Sequence, residues 1–247
     1  MSRRPSRSRG FAARAAAAVI LIATLAATGC MTPPVHDGAR TGPFHTPRNV
    51  AAEALLPAHL RRVIVLPIAG GTVATAESST ALAPVIAAEL QKQNRFEIVV
   101  LTREDCLHRF RAEEFVSTGA LPHDLMTRLR RDYAADAVMF IDLTAYKPYR
   151  PMVLGLRAKL ATLGDEVRLV WTFDNVFSAG DEAVANAARR HYLASDRGGV
   201  PADLTPAVLQ SPSRFAGYAA ATMFATLPPV YTPPPAAPEG ADAVNAR

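Results

Sequence analysis

Residues 152–177 read MVLGLRAKLATLGDEVRLVWTFDNVF and contain the clearest structural pattern in this 247-residue chain. Apolar side chains hold the even positions from Met152 to Leu160 and the odd positions from Val167 to Phe177. Alternation with a period of two is typical of strands with one buried face. Gly164-Asp165 separates the two runs and suits a two-residue type II′ turn. The stretch therefore predicts a tight antiparallel hairpin.

A two-residue turn would also set the register of this hairpin. It predicts three cross-strand pairs on the buried face: Leu160 with Leu169, Ala158 with Trp171 and Leu156 with Phe173. Arg157, Lys159, Arg168 and Asp174 fall on the opposite face, which we expect to be wet.

The rest of the chain alternates between strand and helix patterns. Short β-branched runs predict strands, and apolar residues at helical spacing predict helices. We expect strands at 61–67, 96–101 and 137–146. We expect helices at 80–93, at 103–110, from near Pro122 to Tyr133, from Asp181 and from Ser211-Pro212 to about 227. The order β-α-β-α-α-β-β-β-α-α predicts an α/β (or α+β) layered fold. Its mixed sheet would have helices on one or both faces and end in an antiparallel meander.

Three further predictions concern the helices. Pro84 is compatible only with a first helical turn, so we expect that helix to start near residue 80. Thr102 with Asp105 three residues later is close to a capping box. The helices should cover the face presented by Leu156, Trp171 and Phe173.

The first thirty residues indicate export. Five arginines without an acidic residue precede an apolar run at 15–27, which matches a secretory signal peptide and is too short to span a bilayer. The sequence Ala27-Thr28-Gly29-Cys30 resembles the lipobox of bacterial lipoproteins. That resemblance implies cleavage after residue 29 and acylation of Cys30, including palmitate. The alternative is an ordinary signal peptide cut near Ala27 or Gly29.

Processing changes the charge of the chain. The full sequence has 27 basic and 22 acidic residues, and the leader carries five of the basic ones, so the mature chain has 22 of each. The basicity therefore gives no support for nucleic-acid binding. Acylation of Cys30 would also leave Cys106 without a partner in the chain, and we expect a buried thiol there.

Proline content predicts the domain boundaries. We expect a signal peptide at 1–29, a lipidated Cys30 with a proline-rich tether at 30–57, a single globular domain at 58–228 and a disordered tail at 229–247. His36, His45 and His59 lie in or beside this tether, where we expect solvated side chains.

No catalytic, metal or cofactor motif is present in the sequence, so we expect a protein that is not an enzyme. Gly70-Gly71 is interpreted as a turn, because a phosphate loop would need a lysine and an immediate helix. Asp142 is a charge inside an apolar strand, and its burial unpaired would be costly. We expect it at a sheet edge, at the surface or beside an arginine.

One connection has the composition of a protein interface. Residues 146–151 contain Tyr146, Lys147, Tyr149 and Arg150 between prolines. Rigid aromatic and cationic side chains of this kind are enriched at binding surfaces. The alternative is a simple strand connection whose prolines interrupt pairing.

The strand at 63–67, the segment Ala135–Ile141, the tyrosine-rich link and the meander ending at Val170–Asp174 together suggest a family. Over residues 60–195 the chain resembles envelope lipoproteins related to the curli-secretion lipoprotein CsgG. The penicillin-binding-protein activator LpoB and the amino-terminal domain of TolB share that layered fold.

The resemblance implies a non-enzymatic lipoprotein that is anchored in the outer membrane and faces the periplasm. There it would bind or scaffold an envelope partner. Two alternatives remain open. One is a subunit of a ring-forming secretion component, in which case the protein would be an oligomer. The other is a hydrolase whose site has no recognised motif.

Overall fold

The computed structural model describes residues 37–195 and 208–231. Six strands form one mixed sheet: β1 (Val50–Ala52), β2 (Arg62–Val65), β3 (Glu97–Val100), β4 (Ala137–Lys147), β5 (Val153–Thr162) and β6 (Leu169–Ser178). The helices in these residues are α1 (Gly38–Thr41), α2 (Ala76–Gln91), α3 (Arg103–Phe110), α4 (Leu125–Tyr133), α5 (Glu182–Ser195) and α6 (Pro212–Phe224). The predicted α/β fold with a mixed sheet is confirmed.

Strand pairing changes from parallel to antiparallel at the centre of the sheet. Its strand order is β1-β6-β5-β4-β2-β3, with β2 parallel to both β3 and β4. From β4 outward through β5 and β6 to β1, every pair is antiparallel. The predicted carboxy-terminal meander is therefore β4-β5-β6, and β1 adds a strand that precedes it in the chain.

Helices cover one face of the sheet along most of its width. Leu156, Trp171 and Phe173 lie fully buried on this face, as predicted. They form the first core with apolar residues of α2, α5 and α6, including Ile86, Val184 and Phe224.

A second, smaller core lies on the opposite face. There α3 and α4 cover β2 and β4, and Cys106 and Leu129 pack against Ile64 and Phe140. The sheet is thus buried on both sides only near its parallel half. Arg157 and Asp174, which lie beyond that half, stay partly exposed.

Helix starts agree with their capping residues. Thr102 accepts a hydrogen bond from the Asp105 amide, and the Asp105 carboxylate accepts one from the Thr102 amide, which completes a capping box. The Asp181 carboxylate caps α5 by accepting from the Ala183 amide at 2.8 Å. Ser211 caps α6, with Pro212 in the first turn.

The predicted start of the first long helix is wrong. Helix α2 begins at Ala76, where Thr75 is the N-cap and accepts from the Ser78 amide at 3.1 Å. Pro84 therefore lies inside the helix, where it has no amide to donate to Thr80. Leu82, Ile86 and Leu90 are all buried on one face of α2, and this packing offsets the lost hydrogen bond.

The predicted hairpin is present, but its tight turn and register are wrong. Leu160 pairs with Trp171 and Ala158 with Phe173, a displacement of two residues that keeps these four side chains on the buried face. Leu169, the predicted partner of Leu160, is 51% exposed, and Val170 is buried instead. The turn is longer because the Leu163 side chain is buried in the second core and its amide donates to the Asp136 carbonyl at 2.7 Å. A bulge between Leu160 and Ala161 takes up the remaining offset.

The predicted tether at 30–57 is too long. Residues from Gly38 onward belong to the folded domain, because α1 is formed there and β1 pairs with β6, with Val50 opposite Phe173. Leu56 is only 1% exposed and its amide donates to the Pro229 carbonyl at 2.9 Å. The signal peptide, Cys30 and the greater part of the predicted tail lie outside the described residues.

A truncation tests this boundary. We expect a chain starting at residue 38 to keep the stability of the full mature protein. For a chain starting at residue 58, the free energy of unfolding should be several kcal/mol lower. Burial of Leu56 alone contributes about 1.5–3 kcal/mol, and β6 would lose β1, its partner on the outer side. Urea unfolding followed by tryptophan fluorescence measures both. Equal midpoints for the two truncations would show that residues 38–57 are dispensable.

Candidate functional site

The link that connects β4 to β5 is mounted rigidly at both ends. Tyr146 is partly buried and packs against the first core, and burial raises its pKa. At the other end Met152 is buried, and its carbonyl accepts from the Ala179 amide at 2.8 Å. Between these anchors the chain forms an exposed turn, residues 147–151, which we call the tyrosine turn.

The structure brings together three of the four predicted binding residues on this turn. Tyr149 is 76% exposed, more than any other large apolar side chain in the described residues, and Lys147 and Arg150 are exposed beside it. Tyr146 differs from the prediction, because it contacts the core and supports the turn. The site is therefore one aromatic ring flanked by two cations on a supported turn.

The predicted edge or surface position of Asp142 is wrong. It lies in the central strand β4 and is 3% exposed. The Ser117 amide donates to both of its oxygens at 3.1 Å, and the Ser117 hydroxyl donates to Oδ2 at 2.6 Å. Arg157 is opposite Asp142 on β5, but its guanidinium donates to Asp174 at 2.7 Å. Burial raises the pKa of Asp142, and the Ser117 hydrogen bonds oppose that rise.

Ser117 belongs to a connection that partly buried charges hold in place. Lys159 donates to the Ser117 carbonyl at 2.9 Å. Glu114, nearby in the same connection, accepts from Arg103 at 2.7 Å and from the amides of Gly70 and Gly71 at 3.1 and 3.2 Å. Burial would raise the pKa of Glu114, but these donors together hold it below its usual value.

These contacts explain the Gly70-Gly71 pair. Both amides are taken by the Glu114 carboxylate, so the glycines form a turn and do not present free donors to a phosphate. The turn interpretation is confirmed. The sequence placed Glu114 in an adjacent acidic pair and gave no sign that it would reach these amides.

A cavity of about 270 Å³ lies beside Asp142. Its described lining includes Gly71, Asp142, Thr144 and Arg157 but no histidine. Within the described residues the Thr144 hydroxyl is buried there without a hydrogen-bond partner.

A second, mainly apolar cavity of about 460 Å³ lies at the carboxyl ends of β2 and β3. Pro84 and Ala87 of α2 form one wall, and Leu101 with Thr102 forms another. The chain leaves β2 and β3 toward opposite faces here, and such crevices are common ligand positions in α/β sheets. Sequence analysis missed it, because only the fold brings these segments together.

The remaining residue predictions have separate outcomes. Cys106 is buried as predicted, and burial raises the pKa of its thiol to about 11. His45 is not solvated: it packs edge-on against Phe177 with 5.2 Å between ring centroids. Cys30 lies outside the described residues.

The described residues contain neither a metal-ligating cluster nor a helix that could span a membrane. No group of three or more metal-ligating side chains is found between residues 37–195 and 208–231. Every helix in that part of the chain is too short or too polar to cross a membrane.

The fold and the site define a layered α/β domain that presents aromatic and cationic side chains on a turn at the carboxyl end of its central strand. No protein-family model matches the chain, and no curated protein matches it significantly by sequence.

Solved structures similar to this chain come from bacterial proteins. PelC from Paraburkholderia phytofirmans, described as a dodecamer, is 14% identical over 74% of this chain and 98% of its own, with a TM-score of 0.45. The lipoprotein GNA1162 from Neisseria meningitidis is 13% identical over 55% of this chain and 99% of its own, with a TM-score of 0.40. TolB from Acinetobacter baumannii is 11% identical over 63% of this chain and 32% of its own, with a TM-score of 0.28. The specific resemblance to CsgG and LpoB stays a prediction.

Removal of the Ser117 hydroxyl tests whether its hydrogen bond stabilises the buried Asp142 carboxylate. We expect Ser117→Ala to lower the free energy of unfolding at pH 7 by about 1.5–3 kcal/mol, the range for a hydrogen bond to a charged group. Urea unfolding measures the effect, with Ser178→Ala as control, because the Ser178 hydroxyl accepts only one long bond of 3.3 Å from Gly180.

The pH dependence of this variant has a definite sign. Burial raises the pKa of Asp142, so its contribution to stability is present at low pH and is lost as pH rises through that pKa. Since Ser117 stabilises the ionised form, its removal should cost most above the pKa of Asp142 and least below it. An equal cost at pH 4 and pH 8 would contradict the assignment.

Proposed function

We propose that this protein is a bacterial envelope lipoprotein that binds a protein partner without catalysing a reaction. In this proposal acylated Cys30 holds it at the periplasmic side of the outer membrane, and the tyrosine turn forms part of the binding surface. The observation that carries the proposal is the exposure of Tyr149 between Lys147 and Arg150.

Physical reasons favour a protein partner for this turn. A tyrosine offers a large rigid surface with few rotatable bonds, so little conformational entropy is lost when it is buried. Arginine and lysine beside it can pair with carboxylates at the rim of an interface. Tyr146 and Met152 support the turn from the core, so its shape need not change when a partner binds.

The same composition argues against a purely connecting role. A connection between β4 and β5 requires neither two cations nor a ring that is three-quarters exposed. An exposed tyrosine of this kind gains burial only when another molecule covers it.

Capture from the native envelope tests the proposal. We expect cross-linking of the full-length lipoprotein in its own envelope, followed by affinity purification, to recover one specific protein. The double variant Tyr149→Ala with Arg150→Ala should reduce its recovery at least tenfold, because the anchor ring and its cation are both removed. The proposal fails if no specific protein is recovered.

A matched double variant controls for unspecific surface effects. Tyr231→Ala with Arg61→Ala also removes an exposed tyrosine and an exposed arginine. These residues lie away from the turn, next to the Leu56–Val230 bridge and at the start of β2. Equal losses for both double variants would exclude the tyrosine turn as the binding surface.

A ring-forming assembly is the second candidate, supported by the two ends of the sheet. β3 and β1 are both edge strands, each paired on one side only within the described residues. Pairing of one edge with the other edge of a neighbouring copy is a head-to-tail contact, and such contacts close into rings when the rotation permits.

Light scattering distinguishes this second candidate. For the purified full-length protein in a neutral detergent, a ring predicts a defined mass of many protomers, independent of dilution. A lysine placed at the free edge, Val100→Lys, should then reduce the assembly to monomers. A monomeric mass for the unmodified protein excludes the ring.

A further inference from the structure

A third cavity, of about 470 Å³, lies between α5, α6 and the segment that follows α1. It is separate from the tyrosine turn and from the two cavities described above. Its polar or aromatic lining consists of Phe44, His45, Arg190, His191, Tyr218 and Thr222.

Two buried polar atoms at this cavity make no hydrogen bond of full geometry within the described residues. Tyr218 is 3% exposed, and the polar group that acts on its hydroxyl is the side chain of Thr222, which also lines the cavity. The buried Nε2 atom of His45 is unpaired in the described part of the chain. Buried polar groups without partners are rare in folded proteins, and each one calls for a bound water or ligand.

Packing fixes the direction of both groups. The ring of Phe177 lies 5.2 Å from that of His45 and 5.8 Å from that of Tyr218, edge-on in both cases. The backbone of His45 is held as well, since its amide donates to the Ala183 carbonyl at 3.1 Å. Packing against the Phe177 ring therefore fixes the side chains of His45 and Tyr218 in position.

The charge of the cavity is positive. The Arg190 guanidinium lies over the ring of Phe44, 4.3 Å from its centroid, an arrangement that orients its N–H groups. Among the described residues, no aspartate or glutamate lines the cavity. Asp181 and Glu89 influence His45 and His191 electrostatically, but neither belongs to the lining.

The protonation of the two histidines is consistent with a donor site. Burial lowers the pKa of both His45 and His191. A neutral imidazole can present one N–H group, so the Nε2 atom of His45 can donate. Arginine, tyrosine, threonine and imidazole together offer several donors and one cation.

We propose that this cavity binds a small oxyanion, either a carboxylate or a phosphate group. Arg190 supplies the positive charge, while the Tyr218 hydroxyl and the Nε2 atom of His45 donate hydrogen bonds. Oxyanions match this set because they accept several hydrogen bonds at once and carry the charge that the lining lacks. Arg190 itself is exposed at the mouth of the cavity, where it can meet an incoming anion.

Isothermal titration calorimetry with inorganic phosphate and with acetate tests the proposal, on the full-length protein in a neutral detergent at constant ionic strength. We expect saturable binding of at least one of the two anions. Tyr218→Phe and Arg190→Gln should each weaken that binding at least tenfold.

Tyr218→Phe also has a readout that separates a binding role from a structural one. The variant removes a buried hydroxyl that makes no hydrogen bond of full geometry within the described residues, so without anion its melting temperature should change little. The control Tyr192→Phe removes a hydroxyl that donates to the Arg214 carbonyl at 2.7 Å, so it should lower the melting temperature and leave anion binding unchanged. Arg214→Gln is the control for Arg190→Gln, because Arg214 lies over the Tyr192 ring and outside the cavity.

Vesicles distinguish a lipid headgroup from a free anion. With the Cys30→Ser variant, which cannot be acylated, Arg190-dependent flotation with phosphatidylglycerol vesicles, but not with phosphatidylcholine vesicles, would assign the phosphate to an anionic lipid. Calorimetric binding without flotation would assign a soluble anion. Absence of binding to phosphate, acetate and phosphatidylglycerol vesicles overturns the proposal, as does unchanged binding in both site variants. Either result leaves the proposal for the tyrosine turn unaffected.

Discussion

Burial of both faces of strand β4 is the constraint on which the rest of the structure depends. Met139, Ile141 and Leu143 point into the first core, and Val138 and Phe140 point into the second. A strand of this kind must be covered twice, so helices are required on each side of the sheet. It must also be paired on both edges, which β2 does in parallel and β5 does antiparallel. The two halves of the sheet therefore meet at one strand.

The same strand explains why a carboxylate is buried. Asp142 follows Phe140 on the second face, at the point where helix cover ends and the connection containing Ser117 begins. Three hydrogen bonds from one serine replace the water that burial removes. With Glu114 and Arg103 at the start of α3, Asp142 holds the connections that contain Ser117 and Gly70-Gly71 against the sheet. The described thiol, Cys106, is buried and free.

Local patterns were sufficient for most elements, but not for α1 and β1, which lie in a stretch interpreted as a tether. Thr102, Asp181 and Ser211 predicted helix starts because capping is decided within one turn of chain. The parity of residues 152–177 predicted the buried face up to the bulge at Leu160 and Ala161, opposite which Leu169 is exposed and Val170 is buried. The register could not be predicted, because Leu163 is held by Asp136 and the second core, which are distant in sequence.

The candidate sites were predictable to different degrees. Composition alone identified Lys147, Tyr149 and Arg150, since an exposed aromatic and two cations remain visible in the sequence. It could not identify the cavity around Tyr218, because His45 comes from a proline-rich segment that looks like a tether. Only the pairing of β1 with β6 brings that segment back onto the domain.

Inclusion of residues 38–57 in the domain also changes the reach of the proposed anchor. A flexible chain from Cys30 to residue 57 would span about 30 Å on average and far more when extended. With folding from Gly38, only seven residues separate Cys30 from the domain, and the eight Cα–Cα steps from Cys30 to Gly38 span at most about 29 Å. Since α1 packs against α5, the anchored end of the domain is the end that carries Phe44, His45 and Arg190. An anchored protein would therefore hold this basic cavity close to the bilayer, where phosphate groups are concentrated.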